Sequence, residues 1–171
     1  MKKEESIFKL PTVISYLVKL MGDKNPGKQI GKTIIQKQML LFARQQGIDL
    51  DYSMYHYGPY SSLVSSDLNY AEVLGLLSSN WIPDKGYFIK STEEIGKYLH
   101  LLDDTEKNII AKIVEDFGNF NASELAIIAT AFFIKDNYKV PNDELPEAVH
   151  NAKPNFNINA IKEILAYVQL N

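Results

Sequence analysis

The residues from Leu125 to Ile134 form an apolar run of ten positions that a polar side chain interrupts only at Thr130. Spanning a bilayer takes about 20 apolar residues, so this run is too short to cross a membrane. The preceding Asn121-Ala-Ser-Glu124 has the pattern of a capped helix start. We therefore expect a helix that is apolar on every side. The fold must cover that helix, either with its own elements or with a second copy of the chain in a homodimer.

Helical spacing of apolar residues recurs before this run. It predicts one helix over residues 6–21 and a second from Lys32 to Gln46, with Gly47 as its stop. A third helix is predicted from Ser61 to Leu76. The apolar residues expected on the inward face of this third segment are Leu63, Val64, Leu68, Ala71, Val73, Leu74 and Leu77.

Later helices are indicated by their start signals. Asp103-Asp-Thr-Glu106 predicts one start, and Asn157 is the expected cap of a last helix. The segment Val140–Pro146 contains two prolines, so we expect a loop there.

Two stretches have β character. Asp51–Tyr57 is rich in tyrosine, and we expect a short strand that ends at Gly58-Pro59. Residues 79–82 and 87–91 surround a four-residue turn, Pro83–Gly86, which predicts a β-hairpin. Ser91-Thr-Glu-Glu94 then predicts a capping box in which Ser91 starts the next helix.

The order helix, helix, short strand, helix, hairpin, helix is typical of a winged helix-turn-helix. We therefore predict a mainly α fold with a small β-hairpin, in which residues 1–101 form a winged-helix-like module. Residues 102–171 are predicted to be a helical extension packed on it, and the two parts are compatible with one single domain.

The charge is unevenly distributed although the net charge is only −3. The first 50 residues carry nine Lys and Arg against four Asp and Glu, a local charge of +5. The overall acidity argues mildly against a dedicated DNA-binding protein. The local excess nevertheless defines a candidate basic patch made of Lys24, Lys28, Lys32, Lys37 and Arg44.

The chain contains no cysteine. That absence excludes disulfides, thiolate zinc sites and cysteine nucleophiles, and it is typical of proteins from a reducing compartment. The opening Met-Lys-Lys-Glu-Glu has no apolar core followed by a cleavage site. We expect a soluble cytoplasmic protein with no membrane contact.

No residue pattern indicates catalysis, a cofactor or a metal. Pro26–Thr33 ends in Gly-Lys-Thr like a phosphate-binding loop, but Pro26 stands where the first glycine is required. His56 has no acid or nucleophile at catalytic spacing, and His100 and His150 are too distant in sequence to form a metal motif. We expect a non-enzymatic protein.

A tyrosine cluster surrounds the Gly-Pro step at positions 58 and 59. Base stacking normally combines aromatic with basic side chains, and no Lys or Arg lies between Gln45 and Asp84. Core packing is the first interpretation of this cluster and a protein interface is the second. The candidate partner-binding residues are Tyr55, Tyr57 and Tyr60.

The third predicted helix would be the DNA-reading element of a winged helix. Its polar positions are serines, asparagine and acids, and it contains no Lys or Arg that could contact phosphate or guanine. The composition of this helix favours contacts with protein over contacts with DNA.

Four short motifs carry a resemblance to a known family. They are Gln36-Lys-Gln-Met-Leu-Leu-Phe-Ala43, Tyr55-x-Tyr-Gly-Pro-Tyr-Ser61, Asp67-Leu68 and Gly75-Leu-Leu77. Together they resemble the Panacea antitoxin-domain superfamily, with its SocA-like and GepA-like members, and the related YwgA-like proteins. The resemblance covers about residues 32 to 100.

The resemblance implies a non-enzymatic, mostly helical module. Members of the superfamily neutralise a toxin by direct binding or deliver a partner to a protease. Gly58, Pro59 and Ser61 are motif residues for which physical chemistry predicts structural roles: close approach, a fixed φ and a helix cap.

Two hypotheses follow from the sequence. The first is an antitoxin-like or adaptor-like module that binds a partner protein, such as a toxin or a protease substrate. The alternative is a DNA-binding transcriptional regulator that uses the basic N-terminal third, which the acidic balance disfavours.

Overall fold

The computed structural model describes residues 3–168 and 170, so the start of the chain, Met1 and Lys2, lies outside the described residues. Within them the helices are α1 (Lys3–Lys24), α2 (Lys32–Gln46), α3 (Ser62–Val73), α4 (Asp104–Phe117), α5 (Ala122–Tyr138), α6 (Leu145–Ala152) and α7 (Ile158–Ala166). The strands are β1 (Ser53–Tyr55), β2 (Gly58–Tyr60), β3 (Leu77–Ile82) and β4 (Gly86–Ser91). They form two antiparallel hairpins, β1–β2 and β3–β4, and two short 3-10 turns follow β4. The chain is thus mainly α with a small β component, as predicted.

The apolar helix α5 is enclosed by its own chain. Every residue from Leu125 to Phe132 is buried, including Thr130. One side of α5 packs with α2 in the main core, and another side packs with α6 and α7 in a second cluster around Ile127 and Leu145. Of the two ways to cover this helix, the structure uses the helices of the same chain.

The main core joins the N-terminal and C-terminal parts of the chain. Helix α1 contributes Ile14 and Leu17, which are fully buried, and it packs against both α3 and α4. Ile110 and Ile113 of α4 belong to the same cluster. Apolar contacts therefore continue across residue 101 without a break.

Most predicted helix boundaries are confirmed. Helix α2 begins at Lys32 and ends at Gln46, and Gly47 adopts the left-handed conformation with φ 71°. Asp103 and Asn121 each form a complete capping box, which starts α4 and α5. Asn157 accepts a hydrogen bond from the amide of Asn159 at the start of α7.

The β3–β4 hairpin is also confirmed. Ser79 pairs with Ile89 and Trp81 pairs with Tyr87, and the turn between the strands brings the chain to Gly86 with φ 88°. A side chain is strained at such a positive φ, which is why glycine is suited to this position.

Four local predictions are wrong. Gly58-Pro59 does not end the first strand region, because Gly58–Tyr60 is itself a strand paired with Ser53–Tyr55. Thr92, not Ser91, caps the turn after β4, because its hydroxyl accepts the Glu94 amide and a 3-10 turn follows. The predicted loop Val140–Pro146 contains the start of α6. Pro146 is compatible with the first turn of a helix, because amides in that turn have no partner within the helix and the missing N–H costs nothing there. The fourth concerns the inward face of α3.

Two residues assigned to the inward face of α3 point to solvent. Leu63 is 46% exposed and Val73 is 80% exposed, whereas Val64, Leu68 and Ala71 are buried. The buried face of α3 is narrower than the apolar pattern indicates, because the elements that pack on it, α1, β3 and α2, leave Leu63 and Val73 uncovered.

In the part of the chain that the structure describes, no single helix combines the length and the apolar composition needed to cross a membrane. Helices α4 and α5 meet that test only as a pair, and they are bent by 119° relative to each other.

Candidate functional site

The β1–β2 hairpin carries exposed tyrosines at its tip. Tyr55 pairs with Gly58 across the hairpin, and His56 and Tyr57 form the turn. Tyr57 is 77% exposed and Tyr55 is 59% exposed. The ring of Tyr60 is partly buried and lies 5.1 Å from the ring of Tyr55. The tip therefore presents two adjacent aromatic side chains to solvent.

Helix α2 holds the base of this hairpin through buried hydrogen bonds. The Gln36 amide group donates to the carbonyl of Ser61 at 2.9 Å and accepts the Ser61 amide hydrogen at 3.0 Å. The Lys37 ammonium donates to the carbonyl of Pro59 at 2.7 Å. The Tyr52 hydroxyl donates to the carbonyl of Gln36 at 2.6 Å. Two neighbouring side chains of α2 thus satisfy the backbone of the Gly-Pro-Tyr-Ser segment.

Ser61 connects the hairpin to α3. Its hydroxyl accepts the amide hydrogen of Val64 at 3.1 Å, which is the predicted helix cap, and donates to the carbonyl of Leu50. Ser61 is fully buried. A single hydroxyl therefore satisfies two buried backbone groups that belong to different segments.

Gly58 allows the hairpin to lie directly on α5. Its φ is 94°, and a Cβ atom at this position would stand 3.0 Å from the Thr130 hydroxyl oxygen and 3.5 Å from the carbonyl oxygen of Ala126. A side chain here would be strained by both its backbone conformation and its contacts. The sequence predicts that Gly58 permits a close backbone contact, and in the structure this contact is between β2 and α5.

Two buried lysines flank the hairpin base. Lys37 is 2% exposed, and burial, followed by the charge of Lys153, lowers its pKa to about 8. Burial also lowers the pKa of Lys153, whose ammonium donates to the carbonyl of His56 at 3.4 Å. Among the described residues neither lysine forms an ion pair with a carboxylate. The hairpin base is therefore electropositive inside while its tip is uncharged.

A groove of about 580 Å³ runs between the hairpin and the segment that joins α6 to α7. Its walls are formed by Met54 and Tyr55 on one side and by Pro154 and Phe156 on the other. Lys153 is also part of the lining. The exposed tip thus borders a concave, mostly apolar surface.

The candidate basic patch is not one surface. The Lys24 ammonium donates to the carbonyls of Val114 and Glu115, and the Lys28 ammonium donates to those of Gly118 and Phe120. These lysines bind carbonyls at, and just beyond, the C-terminal end of α4, where the helix dipole favours a positive charge.

The other three members of the patch are dispersed. Lys32 lies over the ring of Tyr87 at 4.1 Å, and Arg44 forms an ion pair with Asp136 at 2.6 Å. The sequence predicts that Lys37 belongs to the patch, and this prediction is wrong because the side chain is buried against Pro59. The N-terminal excess of positive charge is spread over several structural contacts.

Among residues 3–168 and 170, no three His, Asp or Glu side chains are arranged to hold a metal ion. His56 is exposed at the hairpin turn, and His150 Nδ1 makes a hydrogen bond of 2.8 Å with the carbonyl of Phe156.

The sequence did not predict two residues of the site: Thr130, which α5 contributes, and Lys153, which lies between α6 and α7. Thr130 is the one polar residue in the apolar run, and its buried hydroxyl has no hydrogen-bond partner among the described residues. Lys153 carries no sequence signal of its own. Gln36 and Lys37 were visible, since they are polar residues that interrupt the apolar face of α2.

No protein-family model matches the chain, and no curated protein matches it. The resemblance to the Panacea superfamily therefore remains a prediction that depends on the motifs. The geometry gives those motifs a common physical basis, because the Gln36–Ala43 segment and the Tyr55–Ser61 segment contact each other.

Proposed function

We propose that this chain is a non-enzymatic protein-interaction module that binds a partner polypeptide through the tip of the β1–β2 hairpin. The observation that carries the proposal is the pairing of a fixed base with an exposed aromatic tip. Gln36, Lys37 and Ser61 hold the backbone, while Tyr55 and Tyr57 stay in solvent.

A held hairpin lowers the entropic cost of binding, because its backbone is already ordered before the partner arrives. Tyrosine is enriched where interfaces are strongest, since it offers a large apolar area together with a hydroxyl. The neighbouring groove offers a concave surface beside the tip.

The α3 surface supports the same conclusion. It exposes Leu63 and Val73, and it contains no Lys or Arg. Exposed aliphatic side chains without cations suit contact with a polypeptide better than contact with phosphates.

We also infer a winged-helix arrangement for the N-terminal part. The amide of Ile89 in β4 donates to the carbonyl of Ile30 at 2.9 Å, so the segment between α1 and α2 runs beside the β3–β4 hairpin. This contact, together with the order of the elements, supports the winged-helix arrangement. The antitoxin or proteolytic-adaptor role rests on the motif resemblance.

The experiment is a comparison of two double variants purified with an affinity tag from the native host. We expect a stoichiometric polypeptide to co-purify with the unaltered chain and to be lost from Tyr55→Ser/Tyr57→Ser. The control is Tyr138→Ser/Tyr167→Ser, which removes two tyrosines at the ends of α5 and α7 that are at least as exposed as Tyr55, and it should keep the partner. Retention of the partner by the hairpin variant would contradict the proposal.

A second measurement addresses the antitoxin role. The product of a neighbouring gene is expressed alone and then together with this chain. An antitoxin should relieve the growth inhibition, and the hairpin variant should not. If growth inhibition persists when both proteins are expressed at equal levels, this chain is not the antitoxin of that gene product. The adaptor role is then tested by the co-purification experiment.

A further inference from the structure

A second groove lies on a different part of the molecule, between the β3–β4 hairpin and the first residues of α2 and α5. Its volume is about 590 Å³. The side chains that matter for its chemistry are Lys28, Lys32, Trp81, Lys85 and Tyr87. None of these residues belongs to the tyrosine hairpin.

Aromatic rings form one wall of this groove. Trp81 and Tyr87 are cross-strand neighbours, with ring centroids 4.9 Å apart in an edge-to-face arrangement. Trp81 is 59% exposed, so its indole is not needed to complete the core. A large aromatic side chain left at a groove wall is available for stacking.

Lysines border the rings. The Lys32 ammonium lies 4.1 Å from the centre of the Tyr87 ring, and Lys85 is in the turn between the two strands. In the described chain neither of them forms an ion pair with a carboxylate. Lys28 is already bonded to two carbonyls, so Lys32 and Lys85 are the cations available to a ligand.

The groove contains no opposing charge. Its lining, within the described residues, includes no Asp or Glu. Glu124, which attracts Lys28, is turned back to accept the Asn121 amide hydrogen at 2.9 Å. The first turn of α2 also has no acidic residue and no side-chain cap, so the amides at this end add positive potential.

We propose that this groove binds single-stranded nucleic acid, with a base stacked on Trp81 and the adjoining phosphates contacting Lys32 and Lys85. Exposed aromatic rings interleaved with unpaired lysines are the combination that such surfaces use. Duplex DNA fits less well, because α3 has no cation with which to grip the backbone. An acidic peptide would use the lysines but has no need of the exposed indole.

Trp81 is the only tryptophan in the chain, so tryptophan emission, excited at wavelengths that the ten tyrosines do not absorb, reports on this groove alone. The probe is a 12-nucleotide oligothymidylate, titrated in low-salt buffer. We expect saturable quenching of the tryptophan emission. Two phosphate contacts predict a slope of about −1.4 when the logarithm of the binding constant is plotted against the logarithm of salt concentration.

Substitutions separate the two parts of the site. With a fluorescently labelled oligonucleotide, Trp81→Leu should weaken binding about 5-fold to 150-fold through lost stacking. Lys32→Gln/Lys85→Gln should weaken binding and flatten the salt dependence. The matched control, Lys112→Gln/Lys162→Gln, removes the same charge from exposed positions on α4 and α7 and should leave binding unchanged.

Three outcomes would overturn the proposal. The first is an absence of binding by folded, unaltered protein, with circular dichroism to verify folding. The second is an equal loss of affinity in both double-lysine variants, which would show non-specific attraction. The third is quenching by a heptaglutamate peptide but not by the oligonucleotide, which would assign the groove to acidic polypeptides.

Discussion

Both hairpins of this chain expose aromatic side chains, but they differ in whether the neighbouring lysines are accessible to a ligand. At the β1–β2 tip, Tyr55 and Tyr57 are exposed while the nearest lysines, Lys37 and Lys153, are buried beneath the strands. At β3–β4, Trp81 and Lys85 are exposed and Lys32 is half-buried against the Tyr87 ring.

The contrast shows that exposed aromatic residues do not by themselves define a ligand. Lysines under a hairpin hold its backbone, whereas lysines beside a ring can contact a ligand. We therefore propose polypeptide as the ligand of the first hairpin and single-stranded nucleic acid as the ligand of the second, and the following predictions test the difference.

The largest effect is expected where α2 holds the first hairpin. Gln36→Leu leaves the buried Ser61 amide without a partner, at about 2 kcal/mol, and removes one hydrogen bond to the Ser61 carbonyl, which still accepts the Ser65 amide hydrogen, at about 1 kcal/mol. The free energy of unfolding should therefore fall by about 3 kcal/mol. Urea denaturation followed by circular dichroism measures the change.

Gln38 provides a matched control two residues along the same helix. It is also buried, but neither polar atom of its side chain has a hydrogen-bond partner among the described residues. Gln38→Leu should therefore leave stability unchanged or raise it. Equal losses in the two variants would show that Gln36 does not act through Ser61.

The next prediction concerns the buried charge of Lys37. Below about pH 8 the folded and unfolded chains both carry this proton, and burial of the charge destabilises the fold. Between about pH 8 and pH 10.5 only the unfolded chain keeps it, so the free energy of unfolding rises with pH. The total rise from this group is about 3 kcal/mol.

Lys37→Met should remove that rise. Urea denaturation from pH 7 to pH 10.5 should show a steeper increase for the unaltered chain than for the variant, with the other lysines common to both. Parallel curves would mean that Lys37 titrates like an exposed lysine, and they would contradict the burial of its charge beneath the hairpin.

Glycines at the two hairpins should differ in their tolerance of a methyl group. Gly58 and Gly86 both have positive φ, so alanine is strained at each. Only at Gly58 would the new Cβ come within 3.0 Å of another atom, whereas at Gly86 the nearest is 3.8 Å away. Gly58→Ala should therefore cost about 2 kcal/mol more than Gly86→Ala in thermal or urea unfolding. Equal costs would show that α5 moves aside without penalty.

Local signals predicted much of this fold, and tertiary contacts determined the rest. The bounds of α2 and the capping boxes at Asp103 and Asn121 depend on neighbouring residues, which the sequence displays. The exposure of Leu63 and Val73 depends on which elements cover α3, and their apolar character does not reveal it.

The site likewise combines features that local sequence predicts with contacts that only the tertiary structure reveals. The Tyr-Gly-Pro-Tyr-Ser motif is visible in the sequence, but the hydrogen bond that the Lys37 ammonium donates to the Pro59 carbonyl joins residues 22 positions apart. The contact between Lys153 and the hairpin spans 97 positions. No periodicity within one element can reveal such pairs.

The smallest effect on stability is expected at the hairpin tip. Tyr57→Ser changes a side chain that is 77% exposed, so the free energy of unfolding should change by no more than about 0.5 kcal/mol. A large loss of stability would indicate that Tyr57 supports the fold, and its role as a contact residue would then be in doubt.

The most direct test of the assignment is photo-crosslinking at the tyrosine tip in living cells of the native host. Benzoylphenylalanine replaces Tyr57 in one variant and Tyr167, which is 83% exposed at the end of α7, in another. We predict that the Tyr57 position yields a discrete crosslinked polypeptide that nuclease does not remove, and that the Tyr167 position does not. A product that nuclease removes, or the same products at both positions, would contradict the assignment of this hairpin to protein binding.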